Sequence, residues 1–162
     1  MLPTFPLESI MILIIHRISA VIAMACIALF FSSTIIVELI GAAESIVIVK
    51  SLIVWPGLFI LVPSIALTGG SGFVLSKSRN GKLVERKKKR MPFVGVNGIV
   101  VLVPCAIVLD RWASAGSFDT QFYMVQCLEL FAGAINLMLM GMNMKDGLRM
   151  SGRLGSSPII SR

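Results

Sequence analysis

Along the chain, apolar residues gather into four long runs separated by short polar joints. The first covers 10–40 and is interrupted by His16-Arg17. Its spanning core is read as 18–39, with 10–15 as a leading turn or an amphipathic piece at the interface. The second covers 45–75, with Lys50 near its start and Pro56 and Pro63 inside. The third, 93–110, carries Pro104, and the fourth covers 121–144. A helix crosses the hydrocarbon core with about 20 apolar residues, and the third run is just long enough. The pattern predicts an all-α, polytopic four-helix transmembrane bundle forming one domain over 1–162. The joints are a tight turn at Gly41-Ala42-Ala43-Glu44, a basic loop over 76–92, and a short loop over 110–120 containing Gly116 and Ser117. A polar Gly/Ser-rich tail follows over 145–162.

Composition agrees with the pattern. Hydrophobic residues make up 56% of the chain and charged residues 14%. A soluble domain carries about a quarter charged residues. The mean hydropathy is +0.91. Too little polar surface is available to cover a water-soluble core of this size, so lipid is the expected surroundings.

Charge sets the expected topology. The net charge is +7, and the segment 77–90, whose one acid is Glu85, holds all of that excess. A single basic loop in an apolar chain reads as a topology signal rather than a nucleic-acid footprint. Loops rich in Lys and Arg stay on the cytoplasmic side. The loop 76–92 is therefore expected there, and four spans put both termini on the same side. The tail agrees, with Lys145, Arg149, Arg153 and Arg162 against Asp146. The other side carries Glu38, Glu44, Asp110 and Asp119 against Lys50 and Arg111. The N-terminus has no basic n-region and no small-residue cleavage site, so the first run is expected to remain as a span.

The fourth run holds the most informative polar pattern. Gln126, Glu129, Gly133, Asn136, Met140 and Asn143 follow alternating spacings of three and four, which is one helix face. Such a stripe turns inward, because polar groups facing lipid are costly. It serves either interhelical hydrogen bonding, with Gly133 allowing close approach, or a path for a ligand. The first run carries a matching stripe of small residues: His16, Ser19, Ala23, Cys26, Phe30 and Ser33. Glu129 sits about 12 Å inside the fourth helix, at 1.5 Å per residue. Intramembrane carboxylates are expensive and often mark a pathway or a paired site. Lys50, at similar depth on the second helix, is its expected partner, and Glu38 competes for the same lysine. Leu61-Val62-Pro63-Ser64 and Leu102-Val103-Pro104-Cys105 hint at an inverted repeat of the kind transporters use.

His16-Arg17 is the candidate cofactor site. Imidazole ligates haem, and an adjacent guanidinium suits a propionate or phosphate. The alternative is interfacial, with Arg17 snorkelling to headgroups. His16 is the only histidine, so bis-histidine haem ligation needs two copies; a His/Met pair is the other option. Cys26, Cys105 and Cys127 lie in apolar runs without CxxC spacing, which argues against a disulfide framework or a zinc site. Thr68-Gly69-Gly70-Ser71-Gly72 lacks the Gly-Lys-Ser/Thr of a phosphate loop. No catalytic constellation is visible, and a non-enzymatic role is the expectation.

Ile15-His16-Arg17-Ile18-Ser19 resembles the His-Arg-x-Ser/Thr signature of the cytochrome b anchor of succinate dehydrogenase. The resemblance covers five residues. It implies that His16 and Arg17 lie near a quinone site. That family's haem-ligating histidine in a later helix has no counterpart here, and that family has three spans where four are read here. Thr68-Gly69-Gly70-Ser71-Gly72-Phe73 and Lys89-Arg90-Met91-Pro92 resemble small bacterial inner-membrane proteins without an assigned function, which implies architecture and an inner-membrane location. The leading expectation is a subunit or accessory protein of a membrane redox assembly, associated with quinone or haem b. It would work with other membrane subunits or a second copy, and with no nucleic acid. A small transporter or channel lined by Glu129, Lys50, Gln126, Asn136 and Glu38 is the alternative, and a purely structural membrane protein the third.

Overall fold

The computed structural model describes residues 7–77 and 82–150. These residues form four long helices: α1 Leu7–Ile40, α2 Ala43–Lys77, α3 over 82–114 and α4 Thr120–Met150. Each contains a stretch long and apolar enough to cross a membrane. The helices run alternately up and down. The start of α1, the end of α2, the start of α3 and the end of α4 meet at one end, here the basic end, because all four line one cleft there.

Local chemistry fixes the turns at the opposite, distal end. Gly116 has φ +71°, the left-handed conformation that favours glycine just past a helix. There Gly116 N donates to the Ala113 carbonyl and Ser117 N to the Trp112 carbonyl, so the last carbonyls of α3 are satisfied. Asp119 then caps α4, its Oδ1 accepting from Phe122 N at 3.0 Å, one of the donors a helix start leaves without an internal partner.

Helix α2 is broken. Trp55 has φ −133° and ψ 115°, outside the helical region, and the Trp55–Pro56 peptide is cis. A residue before proline is pushed toward extended backbone, and the proline nitrogen has no hydrogen to give. The break divides α2 into halves with different neighbours. Ala43–Leu52 packs on Val103–Ser114 of α3, whereas Phe59–Lys77 packs extensively along α1. A widened turn over Gly98–Leu102 precedes Pro104 in α3.

Two apolar clusters hold the bundle. Ile46, Leu109, Ala113 and Phe122 close the distal end; Ala23, Ile27 and Leu61 join α1 to α2 nearer the middle. The outward surface is apolar, with Leu29, Ile36, Phe59, Phe73, Phe93 and Phe131 among its exposed side chains.

Several boundaries differ from those read in the sequence. The segment 76–92, expected as a loop, is helical where described: Ser76 and Lys77 end α2, and Lys82–Asn97 opens α3. Lys, Arg and Glu are good helix formers, so polarity there signals solvation rather than a break. Likewise α1 begins at Leu7 and runs through His16-Arg17 without interruption, and α3 and α4 extend past 110 and 144. The tail expected over 145–162 is helical to Met150, and its remainder lies outside the described residues.

Candidate functional site

Polar side chains occupy the bundle interior at three levels. At the distal level Lys50 Nζ donates to Glu129 Oε2 at 2.7 Å, joining α2 to α4. Lys50 is 0% exposed and Glu129 13%. Gln126 Nε2 lies 3.5 Å from the same carboxylate oxygen. Glu38 of α1 and Cys105 of α3 lie within electrostatic reach of both charges. Ser51, the residue after Lys50, donates to Asp110 at 2.8 Å.

The middle level is neutral. Asn97 Nδ2 donates to Asn136 Oδ1 at 2.9 Å and to the Ala132 carbonyl at 3.0 Å. Asn136 Nδ2 donates in turn to the Val94 carbonyl at 3.3 Å, and Asn136 is fully buried. Interhelical hydrogen bonding is what this part of the α4 stripe does.

The basic level surrounds His16, which is buried. Its Nδ1 lies 3.1 Å from the Thr68 carbonyl and 3.1 Å from Ser71 Oγ. A carbonyl only accepts, so Nδ1 carries the hydrogen. Thr68 Oγ1 lies 3.0 Å from Ser19 Oγ, which ties the small-residue stripe of α1 to α2. A Cβ on Gly72 would lie 2.8 Å from Met91 Cε and 3.1 Å from His16 Cε1; glycine at 72 lets both side chains approach α2. Arg90 and Asp146 pair at 3.0 Å between the start of α3 and the end of α4.

Beside this level lies a cleft of about 810 Å³. His16, Arg17 and Met24 line it from α1, Thr68, Gly69 and Gly72 from α2, Met91, Val94, Gly95 and Ile99 from α3, and Met140, Asn143 and Met144 from α4. Most of its wall is apolar. Asn143 Oδ1 is buried and has no hydrogen-bond partner among the described residues. Beyond the Asn97–Asn136 layer a separate cavity of about 50 Å³ reaches Glu129, Gly133 and Thr34.

The structure brings Lys50, Glu129, Gln126 and Glu38 into one cluster and puts Asn136 in a different layer. His16 and Arg17 are far from that cluster, on the cleft. The α1 stripe holds at His16, Ser19 and Ala23 and then drifts: the buried positions become Ile27 and Thr34 rather than Cys26, Phe30 and Ser33. An alternating three-four spacing averages 3.5 residues, and a straight helix drifts about 20° per heptad against it. Asn97 and Cys105 were missed. The signal for Asn97 was available, since it is the one strongly polar residue within 93–109.

No protein-family model, curated protein or solved structure matches the chain. Fold and site therefore define its class: an all-helical protein with four helices suited to crossing a membrane, polar layers inside and a cleft at its basic end.

Proposed function

We propose that the protein is an integral membrane subunit or accessory protein of a membrane redox assembly, and that its basic-end cleft receives the head of a quinone-type amphipath. The observation that carries this is the cleft. Small-molecule sites are concave, mostly apolar, about 300–1,000 Å³, and hold a few convergent polar groups. Here the volume is about 810 Å³, and the polar residues of the lining include His16, Arg17, Thr68, Ser76 and Asn143. A guanidinium donates to a quinone carbonyl. The unpartnered Asn143 Oδ1 accepts from a quinol hydroxyl. Haem b fits less well: His16 is the only histidine, so a second axial ligand must be a methionine such as Met91 or come from another copy.

In this reading the helices insert in a bacterial inner membrane with the basic end cytoplasmic, and partner membrane subunits or a second copy cover part of the apolar surface. Gly69 and Gly95 supply the test. Both line the cleft, and a Cβ at either meets nothing within 4 Å. A short-chain quinone should raise the thermal midpoint of the purified wild type, and Gly69→Leu and Gly95→Leu should abolish that rise while leaving the ligand-free midpoint unchanged. An equal rise in wild type and both variants overturns the proposal.

The transporter reading draws on one observation: cleft, asparagine layer and small cavity follow one another toward Glu129. It requires the Asn97–Asn136 bonds to open.

A further inference from the structure

The distal cluster has one donor and one positive charge too few. It brings together two carboxylates, Glu38 and Glu129, and a single ammonium, Lys50. With all three ionised, the cluster carries one excess negative charge. An uncompensated charge in a poorly solvated interior is strongly unfavourable. The hydrogen bonding is deficient in the same sense. Gln126 is 3% exposed, and its amide reaches into the cluster, with Nε2 3.5 Å from Glu129 Oε2. Its Oε1 nevertheless has no partner among the described residues, and Glu38 Oε1 is likewise buried without one. Buried polar atoms in folded proteins are rarely left this way. Among the described residues, the other polar groups nearby supply no cation. Cys105 of α3 is a thiol, and Asp110 of α3 accepts from Ser51 of α2.

We propose that Glu38, Lys50, Glu129 and Gln126 form an intramembrane proton-binding site, which holds one proton on Glu38 while Lys50 and Glu129 stay paired. The assignment to Glu38 follows from geometry. Glu129 has the lysine at 2.7 Å, so the carboxylate without that contact takes the proton. Protonation removes the excess charge and turns one of the two unpartnered acceptors into a donor. The step is a proton transfer from water to a carboxylate oxygen and needs no other reactant. The route is short: Glu38 lies two residues before the end of α1, beside the exposed Gly41-Ala42 turn. Exchange therefore takes place from the distal end, away from the cleft.

The test is infrared spectroscopy of the full chain in liposomes near neutral pH, read at the carbonyl stretch of a protonated carboxyl group. Wild type should show this band, and Glu38→Gln should lose it. Glu129→Gln should lose it as well, because Glu38 then becomes the sole counter-ion of Lys50 and ionises. Lys50→Met should enlarge the band, because both carboxylates then hold protons. Should Glu38→Gln fail to fold, the opposite directions expected for Glu129→Gln and Lys50→Met decide the matter. A wild type without the band, or a band that survives Glu38→Gln, overturns the proposal. So does a band that appears only when sodium is replaced by choline, which would make a sodium ion the occupant.

Discussion

Asn97 and Asn136 bridge α3 and α4 between the cleft and the Lys50–Glu129 pair. Asn136 uses both ends of its amide, accepting from Asn97 and donating to the Val94 carbonyl. Asn136→Leu removes the bond to that carbonyl and takes away the acceptor of one Asn97 hydrogen. In membrane proteins such interhelical bonds contribute about 0.6–2 kcal/mol. Stability should fall by about that amount in a denaturant titration of the detergent-solubilised protein. Adding Asn97→Leu should cost less than the sum of the single losses, since the two residues share one network.

Lys50 and Glu129 should behave as a buried pair. Removing one partner of such a pair costs about 3–5 kcal/mol where the charge left behind has no other partner, whereas replacing both with apolar residues is often nearly neutral; with Glu38 beside the pair, the single losses should fall below that range. Lys50→Met and Glu129→Leu should each lower the thermal midpoint in detergent, and the double variant should recover most of the loss. Additive losses would count against coupling between them.

Gly57 should not accept a side chain. A Cβ there would lie 2.6 Å from Phe30 Cζ and 2.9 Å from the Leu52 carbonyl oxygen. Overpacking of this kind costs about 1–3 kcal/mol. Gly57→Ala should destabilise the bundle, with Phe30→Leu restoring part of the loss. Gly70→Ala, where nothing lies within 4 Å, serves as the control and should leave the midpoint unchanged or higher.

The proposed orientation predicts asymmetric labelling. In a variant lacking the native cysteines, a membrane-impermeant thiol reagent applied to intact cells should modify Ser117→Cys and leave Ser78→Cys untouched until the membrane is opened. Ser117 sits in the exposed distal turn. Ser78 lies outside the described residues, in the segment whose positive charge motivates the assignment. Modification of both from outside contradicts it.

The four helices and the Lys50–Glu129 contact were legible because charges are few in apolar text. A lysine and a glutamate at matching depth on two helices that run in the same direction have few other places to go. Helix ends were less legible. Lys82 to Pro92 reads as a loop by polarity and is helical, since hydropathy reports solvent rather than backbone conformation. Of the prolines inside α2, Pro56 coincides with a break and Pro63 does not, a difference the two positions' apolar surroundings in the sequence do not show. The cleft left only a partial mark in the sequence, at His16, Arg17 and Asn143. Most of its wall is ordinary apolar residues, and its volume depends on how far four helix axes stand apart at one end.

The break at Trp55 gives α2 two allegiances. One half is fastened to α3 through Ser51 and Asp110 and to α4 through Lys50 and Glu129; the other is laced to α1 through Thr68, Ser19 and His16. A straight helix would transmit any tilt along its full length. This one has a joint at Trp55, so its two halves take different directions, one following α3 and α4 and the other following α1.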